Sequence, residues 1–366
     1  MIFRLHAILH YLSVFVLLFI VGGCIESTSY PPFPTGEQLA ALSTPEGMAE
    51  YLQPLPSIRE VSVWENPYGP GLVIRTSHYE VYTTLMEPLM LRQLPFFLES
   101  AYDAYCSQIA DPVTSDRLFR TYLFGKRSEW ETFTIQATGS QAETYLMIQR
   151  GAYALHDVCV AYNIGMERTF SVIGHEGWHQ FTFRYFKFRI PSWLDEGIAM
   201  LFEEFRFERN RYVFEPRRNL QRLGSLKRTL DSHRMLMLSD LIELNPGQIL
   251  HGADQIGNQD YVRAFYAQSY ALVRFLREDN YGQRLKSYHN LLLAGLRGNW
   301  PLSEEEKRYA ADRNIQLTGG WNKQVSPKLF ALYIESDIEK LEKQYRDYCR
   351  KIVYHVRVSD PPDEAR

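Results

Sequence analysis

Apolar and polar positions along this chain change their period part-way through. The first clear pattern lies at residues 72–82. Its β-branched and aromatic residues partly alternate with polar ones and predict a strand or a hairpin. Residues 86–106 read as a helix, with Pro88 or Pro95 in its first turn. Residues 119–124 are strand-like, and 153–162 predict a second apolar strand. From residue 193 onward the period is helical, at 193–205, 219–228, 240–244, 261–277, 283–296 and 326–348. Strands first and helices afterwards indicate an α+β fold.

The regions around this patterned part read differently. Arg4 precedes an apolar run from Tyr11 to Ile20, which is short for a membrane span and ends in small residues. This predicts export, with residues 1–23 as a signal peptide. Residues 24–70 hold scattered prolines, including Pro67 and Pro70, and read as a tether with short helices near 37–42 or 45–52. The folded domain is expected over 71–350, with a tail at 351–366.

The chain has 366 residues, 45% of them hydrophobic, ample for a large core. Its net charge of −3 argues against a nucleic-acid partner. The arginines between Arg206 and Arg228 are interleaved with Glu208 and Glu215, so they read as a solvated surface. Beyond Cys24, the cysteines are Cys106, Cys159 and Cys349, an odd set without C-x-x-C spacing. Free buried thiols are the simplest reading.

The chemistry concentrates at His175-Glu176-Gly177-Trp178-His179. H-E-x-x-H works on a helix, where residues four apart share a face and both imidazoles reach one metal ion. Glu176 is placed to take a proton from water rather than to bind the metal. The bland alternative is an amphipathic helix with two surface histidines. Apolar flanks such as Phe170, Ile173, Phe181 and Phe183 oppose it, because buried imidazoles need partners. Pro191 is expected to stop this helix. Ser192 with Asp195 reads as a cap opening a second helix near Trp193. Glu196, with sixteen residues between it and His179, then returns as a third ligand. Two histidines and one glutamate leave a fourth zinc position open, the pattern of a catalytic site. Glu203, two turns after Glu196, is a candidate to hold a ligand histidine, with a solvated carboxylate as its bland reading and Glu204 as a competitor.

His175-Glu176-x-x-His179 followed by Trp193-Leu194-Asp195-Glu196-Gly197-Ile198-Ala199 resembles the gluzincin superfamily of zinc metallopeptidases. Tyr266-Ala267-Gln268-Ser269-Tyr270 is similar to the Y-x-Q-S helix of its peptidase MA-like branch. The resemblance implies one zinc ion per chain and a peptide or protein substrate. It implies a zincin-like fold, with a small twisted sheet on the metal-binding helix and a mainly helical C-terminal half. It places Arg150-Gly151-Ala152-Tyr153 like the strand edging the substrate cleft. It suggests Tyr266 or Tyr270 as donor to the developing oxyanion, against core packing as the bland reading. His156 beside the edge strand is a weaker candidate, and His233, His251 and His289 lack ligand-like spacing. One departure stands out. Aminopeptidases of this type carry a G-x-M-E-N motif, and no glutamate occupies the matching place after Gly151. Val21-Gly22-Gly23-Cys24 resembles a bacterial lipobox, which implies lipid on Cys24 and a membrane-anchored place in the cell envelope. An ordinary signal peptide or an uncleaved anchor competes with it.

The sequence thus favours a lipid-anchored zinc peptidase. The rival is a non-catalytic zincin-fold lipoprotein that binds a peptide or glycan.

Overall fold

Short β-branched and aromatic runs pair into one sheet before the chain turns helical. The computed structural model describes residues 35–109, 111–114, 117–148, 151–245, 258–313 and 319–357. Cys24 and the apolar N-terminal run lie outside them. Helices α1 (Gly36–Ala41) and α2 (Pro45–Leu52) come first. Thr44 caps α2, Pro45 occupies the first turn where its missing N–H is harmless, and Met48 and Leu52 are buried. Strand β1 (Glu60–Val63) then pairs antiparallel with β2 (Leu72–Arg75). Packed structure therefore begins well before residue 72, inside the segment read as a tether. The short helices read near 37–42 or 45–52 are both present, and what the scattered prolines hid is that β1 joins the sheet.

Strands β2 and β3 (Tyr79–Thr83) form a hairpin, and α3 (Pro88–Cys106) has Pro88 in its first turn. Strand β4 (Phe119–Phe124) runs parallel to β3. Helices α4 (Arg127–Thr138) and α5 (Ala142–Leu146) follow. The apolar run at 153–162 is not one strand but a hairpin, β5 (Ala152–Leu155) and β6 (Val158–Tyr162). His156 turns it with φ of 55°, the left-handed region that tight hairpin loops use. The sheet order is β1-β2-β3-β4-β6-β5, with β5 antiparallel to β6 at an edge.

Helix α6 (Met166–Tyr185) packs on β5 and β6, and its buried Phe170 and Trp178 meet Phe97 and Tyr105 of α3. Gln180 donates to the Arg120 and Asp157 carbonyls at 2.8 and 2.6 Å, which fastens the helix to β4 and to the hairpin turn. A side chain at Gly177 would put its Cβ 2.4 Å from the Tyr105 hydroxyl, so only glycine admits α3 this closely.

The helix ends at Tyr185, well before Pro191, because the chain is already extended at Phe186. The amides of Lys187, Phe188 and Arg189 donate to the Leu296, Gly295 and Ala310 carbonyls at 3.2, 3.2 and 3.0 Å. Pro191 instead caps α7 (Ser192–Ala199). Where one helix was expected over 193–205, α7 gives way to a 3-10 turn at Met200–Phe202 and a second hairpin. Its strands are β7 (Phe205–Glu208) and β8 (Arg211–Phe214). Arg209 and Asn210 both take positive φ in its two-residue loop, without the glycine that usually advertises such a turn.

Helices α8 (Leu220–Asp231), α9 (Leu238–Glu243), α10 (Asn258–Glu278), α11 (Leu285–Arg297), α12 (Glu304–Ala311), α13 (Gly319–Tyr333) and α14 (Ile338–Val353) complete the chain. The expected helix over 326–348 is two, because Asp337 caps α14 by accepting from the Lys340 amide. These helices set α7. A Cβ at Gly197 would lie 2.5 Å from the Ser269 carbonyl of α10. From α13, Asn322 accepts from the Ser192 amide at 2.8 Å and Ser326 meets the Trp193 indole N–H at 3.1 Å. The architecture is α+β. Cys106, Cys159 and Cys349 are free thiols. No described helix is long and apolar enough to cross a membrane.

Candidate metal centre

One turn of α6 separates His175 from His179, so both rings leave the same face of the helix. Their Nε2 atoms stand 3.4 Å apart. Glu196 arrives from α7 with Oε2 3.3 Å from His175 Nε2 and 3.8 Å from His179 Nε2. The three ligand atoms lie within 4.8 Å of one another.

The other nitrogen of each ring has its own carboxylate. Glu203 Oε1 lies 2.9 Å from His175 Nδ1. Glu203 in turn accepts from Arg222 Nε at 2.8 Å and Asn219 Nδ2 at 2.9 Å. Glu203 rather than Glu204 makes this contact. Asp195 Oδ2 lies 3.1 Å from His179 Nδ1, so its carboxylate serves the histidine instead of the capping role expected of it. With Nδ1 engaged in both rings, Nε2 is the nitrogen that faces Glu196. Sequence spacing contained no sign of Arg222, which comes from α8 across the unforeseen β7–β8 hairpin.

The charges follow this arrangement. Burial works against a charged His175, but Glu196 and Glu203 outweigh it and raise its pKa to about 9. Burial likewise opposes charge on His179, yet Asp195 and Glu196 raise its pKa well above the ordinary value. Burial would raise Glu196, but the two histidines hold it low. Glu203 is lowered to about 2, because Arg222 and His175 overcome the cost of burial. Glu176 goes the other way. Burial raises its carboxyl despite the neighbouring histidines, and the Ala154 backbone N–H contributes a hydrogen bond to it.

The donor set fits zinc. Glu196 Oε2 is buried and has no hydrogen-bond partner among the described residues, although it faces two imidazole nitrogens. A buried carboxylate oxygen in that position is costly unless a cation completes it. Two imidazoles and one carboxylate are a common zinc ligand set with a position left over.

A cleft of about 540 Å³ opens in front of this group. Glu176, His179 and Glu196 line it, together with Ala154, Leu155 and His156 from the β5–β6 hairpin. The cleft side of β5 is therefore Ala154 onward, not Gly151–Tyr153. The Tyr153 ring points away, against Trp130 and Tyr145, and its hydroxyl meets Thr134 Oγ1 at 3.0 Å. Gly151 and Ala152 are buried, and Arg150 lies outside the described residues.

The two tyrosines of α10 also separate. Tyr266 is half-buried, and its hydroxyl makes no hydrogen bond to a described residue. Its pKa is raised well above the ordinary value by burial and then by the charge of Glu196, so it stays a donor. The Tyr270 hydroxyl donates to the Pro216 carbonyl and accepts from Arg274 at 3.0 Å. That commits Tyr270 to the core and removes it as an oxyanion donor.

The chain matches no protein-family model, and no curated protein or solved structure is significantly similar to it.

Proposed function

We propose that this chain is a zinc-dependent peptidase of gluzincin type, with a zincin-like sheet laid on the metal-binding helix and a lipid anchor at Cys24 in the cell envelope. The observation that carries the reading is Glu196 Oε2, buried without a hydrogen bond to a described residue and facing the Nε2 atoms of His175 and His179. Zinc held by these three residues would supply a Lewis acid that polarises the scissile carbonyl and makes the attacking water more acidic.

The chain's own groups then divide the work. Glu176 takes the proton from the attacking water and passes it to the leaving amine. Its burial-raised pKa suits a group that must act as base and then as acid. Tyr266 donates its free O–H to the oxyanion. The open edge of β5 aligns an extended peptide by adding it to the sheet, with Leu155 and His156 against it. Glu203 and Asp195 orient the histidines.

A binding-only lipoprotein with a structural metal would call for a fourth protein ligand. Among the described residues no further His, Cys, Asp or Glu joins the group, which favours the enzyme. The purified protein is expected to hold one zinc per chain and to lose it in His175→Ala. Glu176→Gln should keep the zinc and lose cleavage of a peptide library by about 10²–10⁴-fold. Zinc absent from the native protein, or full cleavage by Glu176→Gln, would sink the proposal.

A further inference from the structure

The cleft carries more positive charge than the proposed chemistry uses. Beside Glu176, Asp195 and Glu196 its wall includes two guanidinium groups, Arg189 and Arg313. Arg313 lies over the Phe183 ring at 5.3 Å, and Phe183 follows His179 by one turn of α6. Its guanidinium also donates to the Phe186 carbonyl. Arg189 is rooted by its amide, which donates to the Ala310 carbonyl at 3.0 Å, and stands between the buried Phe188 and Ile190. Both arginines are thus positioned by the segment that links α6 to α7 and by the end of α12.

Neither guanidinium forms an ion pair with a described carboxylate. The acids nearby are Asp312, on the side of Arg189, and Asp195, on the side of Arg313. Asp195 is engaged with His179 Nδ1 at 3.1 Å. Burial pushes both arginines below their ordinary value, and the charge of Arg189 adds to this for Arg313. Asp312 and Asp195 offset only part of the charge that these two partly buried guanidinium groups bring together, so a further anion in the cleft would be favourable. Guanidinium forks match carboxylates in planar, paired hydrogen bonds. A peptide added to the β5 edge would share this cleft, since Ala154, Leu155 and His156 line it too.

We propose that Arg189 and Arg313 form a subsite for a carboxylate of the substrate peptide, either an acidic side chain or the free C-terminus. The proposal rests on reading the cleft as a peptidase site and names the substrate class. The missing counterpart of the amino-end glutamate agrees with it, because recognition here would grip an anionic group.

Three fluorescein-labelled alanine-rich peptides distinguish the sources: one with a single glutamate and an amidated end, one neutral with a free C-terminus, one neutral and amidated. Their binding to the full-length, zinc-loaded Glu176→Gln protein is followed by anisotropy. One of the first two is expected to bind about 10–100-fold more tightly than the third, the range of one charge-assisted contact. Preference for the first assigns an acidic side chain, and preference for the second the terminus. Arg189→Gln and Arg313→Gln should each remove most of the preference while keeping zinc content and neutral-peptide binding. Arg189→Lys keeps the charge without the fork and should retain part of it. Equal or absent binding of the three peptides overturns the subsite. So does a preference that persists in both glutamine variants, since the metal would then be its source. The peptidase reading is judged apart, by zinc content and Glu176-dependent cleavage of the neutral amidated peptide. Cleavage without carboxylate preference removes the subsite alone.

Discussion

His175 and His179 stand one turn apart on the same helix, yet their outer nitrogens are held by two different kinds of surroundings. On the His175 side, Glu203 is 9% exposed and also accepts from Arg222 and Asn219. On the His179 side, Asp195 is 22% exposed, and its Oδ1 has no hydrogen-bond partner among the described residues. The first side is a closed ion network that joins α6, the end of the 3-10 turn after α7, and the start of α8. The second borders the open cleft, where Arg189 and Arg313 stand. The difference teaches that one histidine is tied through Glu203 to the helical half, while the other lines an open cleft.

The largest effect should come from breaking the closed side. Arg222→Met leaves Glu203 buried without its main partner. Loss of one member of a buried pair costs about 3–5 kcal/mol, so denaturant unfolding should show a shift of that order. A loss below about 1 kcal/mol would mean that the network is solvated, like an ordinary surface pair.

The same network predicts an acid-dependent stability in chelator-treated protein. Glu203 has a folded pKa of about 2, below the value of about 4.3 for an unfolded glutamate. Its contribution is therefore complete above about pH 4.3 and is lost as the pH falls towards 2. It amounts to on the order of 2–3 kcal/mol and should be reduced in the acid limb of Arg222→Met, where only His175 still holds the carboxylate low. Equal acid slopes in the two proteins would show that Arg222 does not set the Glu203 charge.

Tyr266 tests the chemistry that borders the closed side. Tyr266→Phe should lower kcat about 100-fold with zinc content unchanged, whereas Tyr270→Phe should leave kcat near its starting value. Reversal of that order would mean that the Tyr270 hydroxyl leaves Pro216 when substrate binds.

The smallest effect is expected on the open side. Asp195→Asn should weaken zinc binding about 10–100-fold in chelator competition. Unfolding of the zinc-free protein should change by less than about 1 kcal/mol, because the side chain borders the cleft and an amide there removes a charge from an incompletely hydrogen-bonded group. A stability loss matching Arg222→Met would erase the distinction between the two sides.

Residues four apart on one helix must share a face, so His175, Glu176 and His179 were legible as a unit in the sequence. Glu196 was legible because a helix break and a return fit the intervening length. The partners were not. Asp195 was read as a cap because Ser192 precedes it by three, but Pro191 already occupies the N-cap. The β7–β8 hairpin was hidden because Arg209 and Asn210 lack a glycine, and with it went the path by which α8 returns Arg222 to Glu203. The run at 153–162 was read as one strand because His156 gives no visible break, so the cleft-lining positions were placed too early.

Taken alone, the sequence determined the local facts: which helix carries the two histidines, which face they share, and which carboxylate can return to them. Those depend on periods of a few residues. Tertiary structure decided which carboxylate steadies which histidine, which tyrosine hydroxyl the core takes up, and where two arginines face one cleft. Those choices come from packing between segments far apart in the chain, such as Gly197 against Ser269 or Asn322 against Ser192, and no local pattern encodes that geometry.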